Sequence, residues 1–492
     1  MIWTPNPFQP EMVQHLLDNE EAMLWAGCGS GKTVVSLTAI SDLISQGISR
    51  GALVIAPFRV LATSFPSQIE KWDHLRWLTI ANMRTPEGQA MWENGSADIY
   101  MVNSELLPTI SRTLRCRKCK GEGCGGCTDG FLEQVSPGFV DKFIKKRKTL
   151  PVDTLLVDES SLAKNPSSVR FNSLRPYLHD IEKLDGKRSF RSPFRRRFSM
   201  TGTPHPNSYL DLFAQVRLID GGKRFGTAFT RYRDTYFKSD YMGFKWELKP
   251  GAKELIDAKI ADLALVMPPE CYPELPPCIT EDVEITLPAD AMKAYRTLEK
   301  ELMVELETGT VEALSAAALA TKLLQLTSGQ VFDAERGVHV THDAKLKALH
   351  AIRKKHPKEP LIVFTSYIHE RERLLKEFPE AREFDEKRIP DWQAGKIPMW
   401  VSDCRSMAFG IDGLQVGGRI CVWMTPTYSW EMYHQAISRL VRVGQDQETL
   451  IYRVLALGTI DEAVIAAVTS KEEGNSGLME SLRNLQKLRK AA

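Results

Sequence analysis

The stretch AGCGSGKT, residues 26–33, combines closely spaced glycines with a lysine and a hydroxyl side chain. Glycines let backbone N–H groups approach an anion closely, and a helix beginning at this point would direct its N-terminus at the same anion. In such a loop the lysine reaches the β- and γ-phosphates of a nucleotide, and the threonine ligates magnesium. The segment departs from the G-x-x-x-x-G-K-[ST] pattern by having Ala26 at the first position. The residues predicted to bind a nucleotide here are Gly27, Gly29, Ser30, Gly31, Lys32 and Thr33.

Asp158 and Glu159 directly follow the apolar run TLLV. An aspartate at the end of a strand can hold magnesium through its water shell, and an adjacent glutamate can orient and deprotonate an attacking water. Taken alone, such a pair is usually a solvated loop or a helix cap. Together with the glycine-rich loop, the pair predicts an acidic motif that binds magnesium and contains a catalytic base.

A third candidate site is CRKCKGEGCGGC, residues 116–127, in which Cys116, Cys119, Cys124 and Cys127 form two C-x-x-C pairs. Each pair can point two thiolates at one tetrahedral ion, so the segment predicts a closed, structural zinc site, and it resembles a repeat of the DnaJ cysteine-rich domain. A disulfide cluster is the alternative. The remaining cysteines are predicted to be core side chains: Cys28, Cys271, Cys278, Cys404 and Cys421.

The elements that would position these residues are short apolar runs, each followed by a helix-like stretch. Beyond EAMLW ahead of the glycine-rich loop, such runs occur at 52–57, 97–103, 153–159, 196–202, 360–366, 398–403 and 419–424. Runs of this kind predict buried parallel strands, and strands alternating with helices indicate an α/β fold. Residues 289–330, between the two groups of strands, predict helices. Parallel sheets bind ligands at the carboxyl ends of their strands, where the two predicted nucleotide motifs lie.

Composition limits the possible partners. The chain has 492 residues, 43% of them hydrophobic, a net charge of +2, and two basic segments at 142–148 and 183–197. These segments are either a nucleic-acid contact or a solvated face. No run approaches the roughly 20 apolar residues that cross a bilayer, so we expect a cytoplasmic protein with no membrane partner.

Several segments, in order along the chain, resemble the Swi/Snf-type ATPases of helicase superfamily two. DESSLAKNPSS is similar to the acidic motif of that family, and SMTGTPHPNSYLDLFAQVRLI (199–219) to its T-G-T-P-x-x-N motif. NPFQPEMVQHL, which contains Gln9, resembles the adenine-reading segment. HQAISRLVRVGQ (434–445) resembles the Q-A-x-x-R-x-x-R-x-G-Q motif of the second motor lobe.

The resemblance implies two RecA-like parallel-sheet lobes: residues 1–275, with a zinc-binding insertion at about 111–135, and residues 276–492, with a helical protrusion at about 289–330. It implies ATP, magnesium and double-stranded DNA as ligands, a monomer, and a compact bacterial or bacteriophage form. It assigns adenine recognition to Gln9 and a coupling role to Thr201, Gly202, Thr203 and Gln435, and it adds Gly410 and Asp412 to the nucleotide site.

Arg439 and Arg442 are three residues apart, a spacing that predicts one helix face, and their guanidinium groups would stabilise charge on the transferring phosphate. Because they lie on the second lobe, hydrolysis is expected to require lobe closure. Two departures bear on the nucleic-acid partner. Ser161 stands where the family commonly has histidine, and SMAFGIDGLQ (406–415) has a core more typical of other superfamily-two helicases. The alternatives are a strand-separating DNA or RNA helicase, and a non-motor nucleic-acid scaffold with a vestigial ATP site.

Overall fold

The computed structural model describes most of the chain. The described residues are 1–27, 29–108, 110–115, 131–145, 149–178, 181–182, 188–190, 192–202, 204, 208–239, 246–267, 271, 275–308, 313–332, 337–408 and 410–469. The chain forms two compact units, of which the first spans Met1–His205 and Tyr209–Cys271, and the second Pro206–Ser208 and Tyr272–Ala492.

The first unit is built on a seven-stranded sheet in which every pairing is parallel. Its strands, in chain order, are β1 (Glu21–Trp25), β2 (Ala52–Ala56), β3 (Ile80–Asn82), β4 (Ile99–Asn103), β7 (Thr154–Asp158), β10 (Arg196–Thr201) and β13 (Ala264–Val266). Two-stranded antiparallel ribbons are formed by β5 (Ile110–Arg115) with β6 (Phe131–Ser136), β8 (Ile181–Glu182) with β9 (Arg188–Phe190), and β11 (Phe237–Ser239) with β12 (Trp246–Leu248). The sheet order is β13-β1-β10-β7-β2-β4-β3.

Helices accompany this sheet. They are α1 (Gln9–Asp18), α2 (Lys32–Ser45), α3 (Phe65–Lys71), α4 (Pro86–Asn94), α5 (Val169–Leu174), α6 (Leu212–Asp220), α7 (Phe229–Tyr236) and α8 (Ala252–Ile260). Shorter 3-10 or π-helical turns span Val60–Ser64, Asp73–Leu75, Ser104–Leu106, Val140–Ile144, Ser160–Ala163, Arg175–Tyr177 and Tyr209–Asp211. β2, β4 and β7 are buried along their whole length, and their central residues are apolar on both faces, as parallel strands covered by helices require.

The second unit has its own parallel sheet, in the order β14-β21-β20-β17-β19-β18. Its strands and a separate ribbon (β15 with β16) are β14 (Cys278–Ile285), β15 (Gln330–Phe332), β16 (Val338–Val340), β17 (Leu361–Thr365), β18 (Ala381–Glu383), β19 (Met399–Asp403), β20 (Ile420–Trp423) and β21 (Thr449–Ala456). Its helices are α9 (Ala289–Thr308), α10 (Ala313–Ser328), α11 (Ala344–Lys355), α12 (Ile368–Glu377), α13 (Ile389–Gln393), α14 (Cys404–Ala408), α15 (Leu414–Gly417), α16 (Trp430–Ile437) and α17 (Ile460–Thr469), with a 3-10 turn at Glu386–Arg388.

The predicted α/β class is confirmed, because two parallel sheets are present and fit two RecA-like lobes. Each apolar run predicted to be a strand contains one. Within residues 289–330, the described residues form α9 and α10, and the last residue, Gln330, begins β15. Cys116, Cys119, Cys124 and Cys127 lie outside the described residues, as does Cys28. No described helix is long and apolar enough to cross a membrane.

One prediction about the other cysteines is wrong. Cys271 and Cys278 are exposed, whereas Cys421 is buried and Cys404 is intermediate. Cys278 begins β14, the strand at one edge of the second sheet, most of whose side chains are exposed, so an apolar neighbourhood in sequence does not bury it.

Candidate functional site

The glycine-rich loop connects β1 to α2. Gly29 and Gly31 both have a φ of 82°, a left-handed conformation that glycine adopts without strain. Gly31 is the N-cap of α2, a helix of 14 residues whose first N–H groups have no partner within the helix. The Ser30 hydroxyl is buried and has no hydrogen-bond partner among the described residues. A buried hydroxyl donor such as Ser30, in a glycine-rich loop that leads into a helix N-terminus, fits a hydrogen bond to a phosphate oxygen.

Lys32 is held over the loop by the loop's own carbonyl groups. Its Nζ donates to Ala26 O at 2.8 Å and to Gly27 O at 3.1 Å. An ammonium group has three N–H donors, so one donor of Lys32 remains for a phosphate oxygen. If Lys32 released the two carbonyl groups, its other two donors could also bind phosphate oxygens. Thr33, the next residue of α2, is half-buried.

Gln9 contacts the same loop from the start of α1. Its side chain is buried, Nε2 donates to Ser30 O at 2.9 Å, and Oε1 accepts from Asn6 N at 2.9 Å. A Cβ on Gly31 would lie 2.3 Å from Gln9 Nε2, so a larger residue there would displace the end of the Gln9 side chain. The structure therefore brings the predicted adenine-reading residue to the predicted phosphate loop.

The acidic pair lies at the same edge of the sheet. In the parallel register, Trp25 is opposite Thr201 and Met200 is opposite Asp158, and Ala26 N donates to Thr201 O at 3.2 Å. The carboxyl ends of β1, β10 and β7 are thus neighbours, as expected of an open parallel sheet.

Asp158 is almost fully buried, and burial raises the pKa of its carboxyl group. The positive charge of Lys32 and the hydrogen bond from Glu159 N, at 2.9 Å, oppose that increase in the pKa. A carboxyl group at the end of a strand beside the phosphate loop fits a magnesium-binding role, because oxygen ligands suit this ion.

Glu159 is the only residue other than glycine with a positive φ in the described part of the chain, at φ 52° and ψ 58°. It is buried, and it immediately precedes the 3-10 turn Ser160–Ala163. Left-handed backbone costs a residue with a Cβ about 1–2 kcal/mol, and such strain is concentrated at functional sites.

The T-G-T-P segment begins at the end of β10. Thr201 is buried as the last residue of that strand, and Gly202 follows it. Thr203 lies outside the described residues. Within this unit, the structure therefore brings together the ends of three strands that carry three of the predicted motifs.

The second unit holds Arg439 and Arg442, but they do not lie on a helix as predicted. α16 ends at Ile437, and the following residues form turns: Arg439 N donates to Ala436 O, and Leu440 N to Ile437 O. These two bonds span three residues instead of four, although Val441 N still donates to Ile437 O. Gly444, at a φ of 94°, follows.

The two arginines nevertheless converge on one acceptor. Arg439 Nη1 donates to Ile411 O at 3.1 Å, and Arg442 Nη1 reaches the same oxygen at 3.5 Å and Asp412 Oδ1 at 3.3 Å. Gly410, with a φ of 69°, turns the chain just ahead of this acceptor. Gln435 is buried on α16, and its Oε1 has no hydrogen-bond partner among the described residues.

In the described part of the chain, no group of three or more His, Cys, Asp or Glu side chains is arranged to hold a metal ion. The four cysteines of the predicted zinc site are outside that part.

Comparison with known proteins agrees with this site. The DEAD/DEAH box helicase family matches residues 6–120, which contain Gln9 and the phosphate loop. Protein p41 of Acyrthosiphon pisum secondary endosymbiont phage 1 is 30% identical over 496 residues, covering 98% of this chain and 99% of p41.

Two solved structures are also similar. The SWI2/SNF2 ATPase core of Sulfolobus solfataricus in complex with double-stranded DNA has a TM-score of 0.40 and 15% identity, covering 99% of this chain and 97% of that one. The ATPase core domain of the same organism has a TM-score of 0.41 and 16% identity, covering 99% and 94%.

The glycine-rich loop and the acidic pair lie at one edge of a parallel sheet in an α/β protein. The chain belongs to one family with the phage protein p41, and its residues 6–120 match the DEAD/DEAH box helicase family.

Proposed function

We propose that this protein hydrolyses ATP and uses the energy to move along double-stranded DNA. The observation that supports this most directly is the adjacency of the phosphate loop and the acidic pair at one sheet edge, with the Lys32 charge acting on the Asp158 carboxylate. The presence of both the lysine and the buried aspartate at this edge argues against a scaffold protein with a vestigial site.

In the proposed mechanism the first unit binds magnesium and ATP. Lys32 and the N-terminus of α2 neutralise the phosphates, Thr33 and Asp158 hold magnesium, and Gln9 recognises adenine. Magnesium, when bound, supplies positive charge that offsets the charge building on the phosphate oxygens. Glu159 accepts a proton from the attacking water and orients it.

The second unit contributes Arg439 and Arg442, whose guanidinium groups would stabilise the transferring phosphate once they leave the Ile411 carbonyl. Thr201, Gly202, Thr203 and Gln435 would couple this chemistry to the DNA contacts, and Gly410 and Asp412 would contribute to the nucleotide site. Duplex DNA is proposed as the track because DESSLAKNPSS and QAISRLVRVGQ resemble the motifs of duplex translocases.

The test is ATP turnover measured in parallel with duplex DNA, single-stranded DNA, RNA and no nucleic acid. We expect duplex DNA to give the largest stimulation, and Lys32→Ala and Glu159→Gln to abolish turnover. A matched control is Lys347→Ala, which removes an exposed lysine of the second unit. Turnover retained in Glu159→Gln would refute the assigned base. Strand separation in a displacement assay would favour the helicase alternative, and turnover absent under all four conditions would favour the scaffold.

We also propose that Cys116, Cys119, Cys124 and Cys127 bind one structural zinc ion. The two closely spaced C-x-x-C pairs support this proposal. Zinc content of the purified chain should be about one ion per molecule, and Cys116→Ser with Cys119→Ser should remove it. Zinc-free wild-type protein with intact disulfides would contradict the proposal.

A further inference from the structure

A glutamine in the middle of α6 is completely buried. Gln215 has an exposed fraction of 0%, and its helix neighbours Leu212, Phe213, Val216 and Ile219 are buried as well. An amide removed from water destabilises the fold unless it is hydrogen-bonded. The bonding partners of Gln215 therefore determine what this residue can do.

All of the principal donors and acceptors of that amide are used. Ser160 Oγ donates to Gln215 Oε1 at 2.8 Å, and Gln215 Nε2 donates to Pro204 O at 2.5 Å and to Asp211 O at 3.0 Å. The partners also determine which way the amide points, because a reversed amide would place its oxygen against two carbonyl oxygens.

The Gln215 amide forms a hydrogen-bonded bridge between Ser160 and Pro204, and these two residues belong to different nucleotide motifs. Ser160 follows Glu159 in the acidic motif, and Pro204 is the last residue of the T-G-T-P sequence. Backbone register between β7 and β10 ends at the pair Asp158 and Met200, so Ser160 and Pro204 lie beyond the paired strands. Gln215 joins them at that point.

We propose that Gln215 is a positioning residue that couples the acidic motif to the T-G-T-P segment. The proposal rests on the proposed ATPase function. Glu159 lies between Asp158 and Ser160 in strained left-handed backbone, and a bond that fixes Ser160 restrains that backbone from its C-terminal side. A displacement of the T-G-T-P segment is then carried through one rigid amide to the residue next to the proposed base.

The residue after Ser160 also bears on this bridge, because Ser161 stands where the family that DESSLAKNPSS resembles commonly has histidine. A small serine thus occupies the place of the larger histidine ring. Ser160, one residue earlier, makes the Gln215 contact at 2.8 Å, so the coupling is supplied from α6.

Three variants separate the parts of the bridge. Gln215→Met keeps an unbranched side chain of similar length and removes every amide bond. Gln215→Glu keeps the acceptor for Ser160 but sets a carboxylate oxygen against the carbonyls of Pro204 and Asp211. Ser160→Ala removes the other end. The matched control is Gln325→Met, a buried glutamine of α10 in the second unit that accepts from Phe332 N.

The first measurement is hydrogen–deuterium exchange of the nucleotide-free full chain, in peptides covering residues 199–206. We expect Gln215→Met and Ser160→Ala each to accelerate exchange there by about threefold or more, and the double variant to add nothing to Gln215→Met. Unchanged exchange in Ser160→Ala, or effects of the two changes that multiply, would overturn the proposal.

The second measurement is ATP turnover with and without nucleic acid. We expect Gln215→Met to lower the stimulated kcat about tenfold and unstimulated turnover by less than that, with KM for ATP within about twofold of wild type. Gln215→Glu should be at least as impaired, and Gln325→Met should match wild type. If the two substitutions affect hydrogen–deuterium exchange non-additively but nucleic acid still stimulates ATP turnover as in the wild type, the coupling role of Gln215 is overturned. Wild-type protein without turnover would refute the proposed function, whereas the exchange data would still decide whether Gln215 joins the two segments.

Discussion

The most unusual residue of the site is Glu159, the proposed base. It combines a buried side chain with a left-handed backbone, which a residue with a Cβ adopts at a cost of about 1–2 kcal/mol. The strain persists because neighbouring contacts maintain it, among them the 2.9 Å bond from Glu159 N to Asp158 Oδ1 and the anchoring of Ser160. We therefore expect the backbone conformation that places the Glu159 carboxylate to lower the free energy of unfolding.

Paired substitutions at Glu159 test that strain. Glu159→Gly and Glu159→Ala both remove the carboxylate, but only alanine retains the strained Cβ. At a position with ordinary backbone, a glycine variant is normally less stable than the alanine variant by about 0.5–1 kcal/mol. At position 159 we expect the reverse, with the free energy of unfolding of Glu159→Gly exceeding that of Glu159→Ala by about the same amount. Urea unfolding of the nucleotide-free protein is the measurement. Ala163→Gly, nearby with ordinary backbone, should show the usual loss, and alanine more stable than glycine at 159 would show that the backbone is unstrained.

Sequence patterns identified individual residues to different degrees. Lys32 and Asp158 were predictable because their motifs require specific types at strand ends, and the structure brings them within electrostatic reach. Gln215 belongs to no motif. The signal for it was a polar residue on a helix face that is otherwise apolar, in LDLFAQVRLID. Such a residue must have a buried partner, but its identity depends on which loops the fold brings to the helix.

The basic run 183–197 shows a second limit of residue patterns. Its described C-terminal end is used inside the first unit: Arg195 pairs with Glu20, Arg196 donates to Leu17 O and Asn19 O, and Arg197 pairs with Glu21. Charge spacing alone does not distinguish such internal pairs from a nucleic-acid contact, because the partners are more than 170 residues away in sequence.

At the scale of elements, the second unit is held together by an ion pair in its core. Lys345 on α11 and Asp461 on α17 are 1% and 0% exposed, and their Nζ and Oδ2 atoms are 2.6 Å apart. Lys345 Nζ also donates to Met424 O, which follows β20, and Asp461 accepts from Thr327 Oγ1 of α10. Two charges therefore connect three helices to one strand end.

Removing one partner should be worse than removing both charges. Lys345→Met leaves Asp461 as an uncompensated buried charge and should lower the free energy of unfolding by about 3–5 kcal/mol. Adding Asp461→Asn should recover part of this loss. The side-chain oxygen of an asparagine at this position can accept from Ala456 N, as Asp461 does. Its NH₂ group can donate to Thr327 Oγ1, because the Thr327 hydroxyl can itself donate to Leu324 O.

Urea unfolding followed by tryptophan fluorescence measures both variants, since Trp392, Trp400 and Trp423 are buried in this unit. The control is Lys347→Met on the same helix, whose partner Asp343 is exposed, and it should cost less than about 1 kcal/mol. A double variant less stable than Lys345→Met would show that the pair does not act as a unit.

Elements were more predictable than their ends. Buried parallel strands such as β2, β4 and β7 could be recognised because they are continuous apolar runs. β14 was not recognised, since its exposed edge position gives it alternating charged residues in CITEDVEI. The end of α16 at Ile437 was also missed, because the turns after it are stabilised by contacts such as Arg439 with Ile411 O, far away in sequence.

At the scale of the whole molecule, the proposed chemistry is divided between two units with separate cores. The nucleotide-binding residues Gln9, Lys32 and Asp158 belong to the first unit, and Arg439 and Arg442 to the second. Each unit has its own parallel sheet. Binding and turnover should therefore respond to different substitutions.

Arg442 provides the test of this division. Its Nη1 is held within the second unit by Asp412 Oδ1 at 3.3 Å and Ile411 O at 3.5 Å, so its removal should leave the first unit intact. We expect Arg442→Ala to lower kcat about a thousandfold, by analogy with other arginine fingers, while the dissociation constant for a fluorescent ATP analogue stays within about threefold. Arg442→Lys should recover little, because an ammonium group cannot replace the planar, bidentate guanidinium. Arg405→Ala, which removes an exposed arginine of the same unit, should behave as wild type. Equal losses of affinity and of kcat in Arg442→Ala would place this arginine in ground-state binding, whereas unchanged kcat would remove it from the reaction.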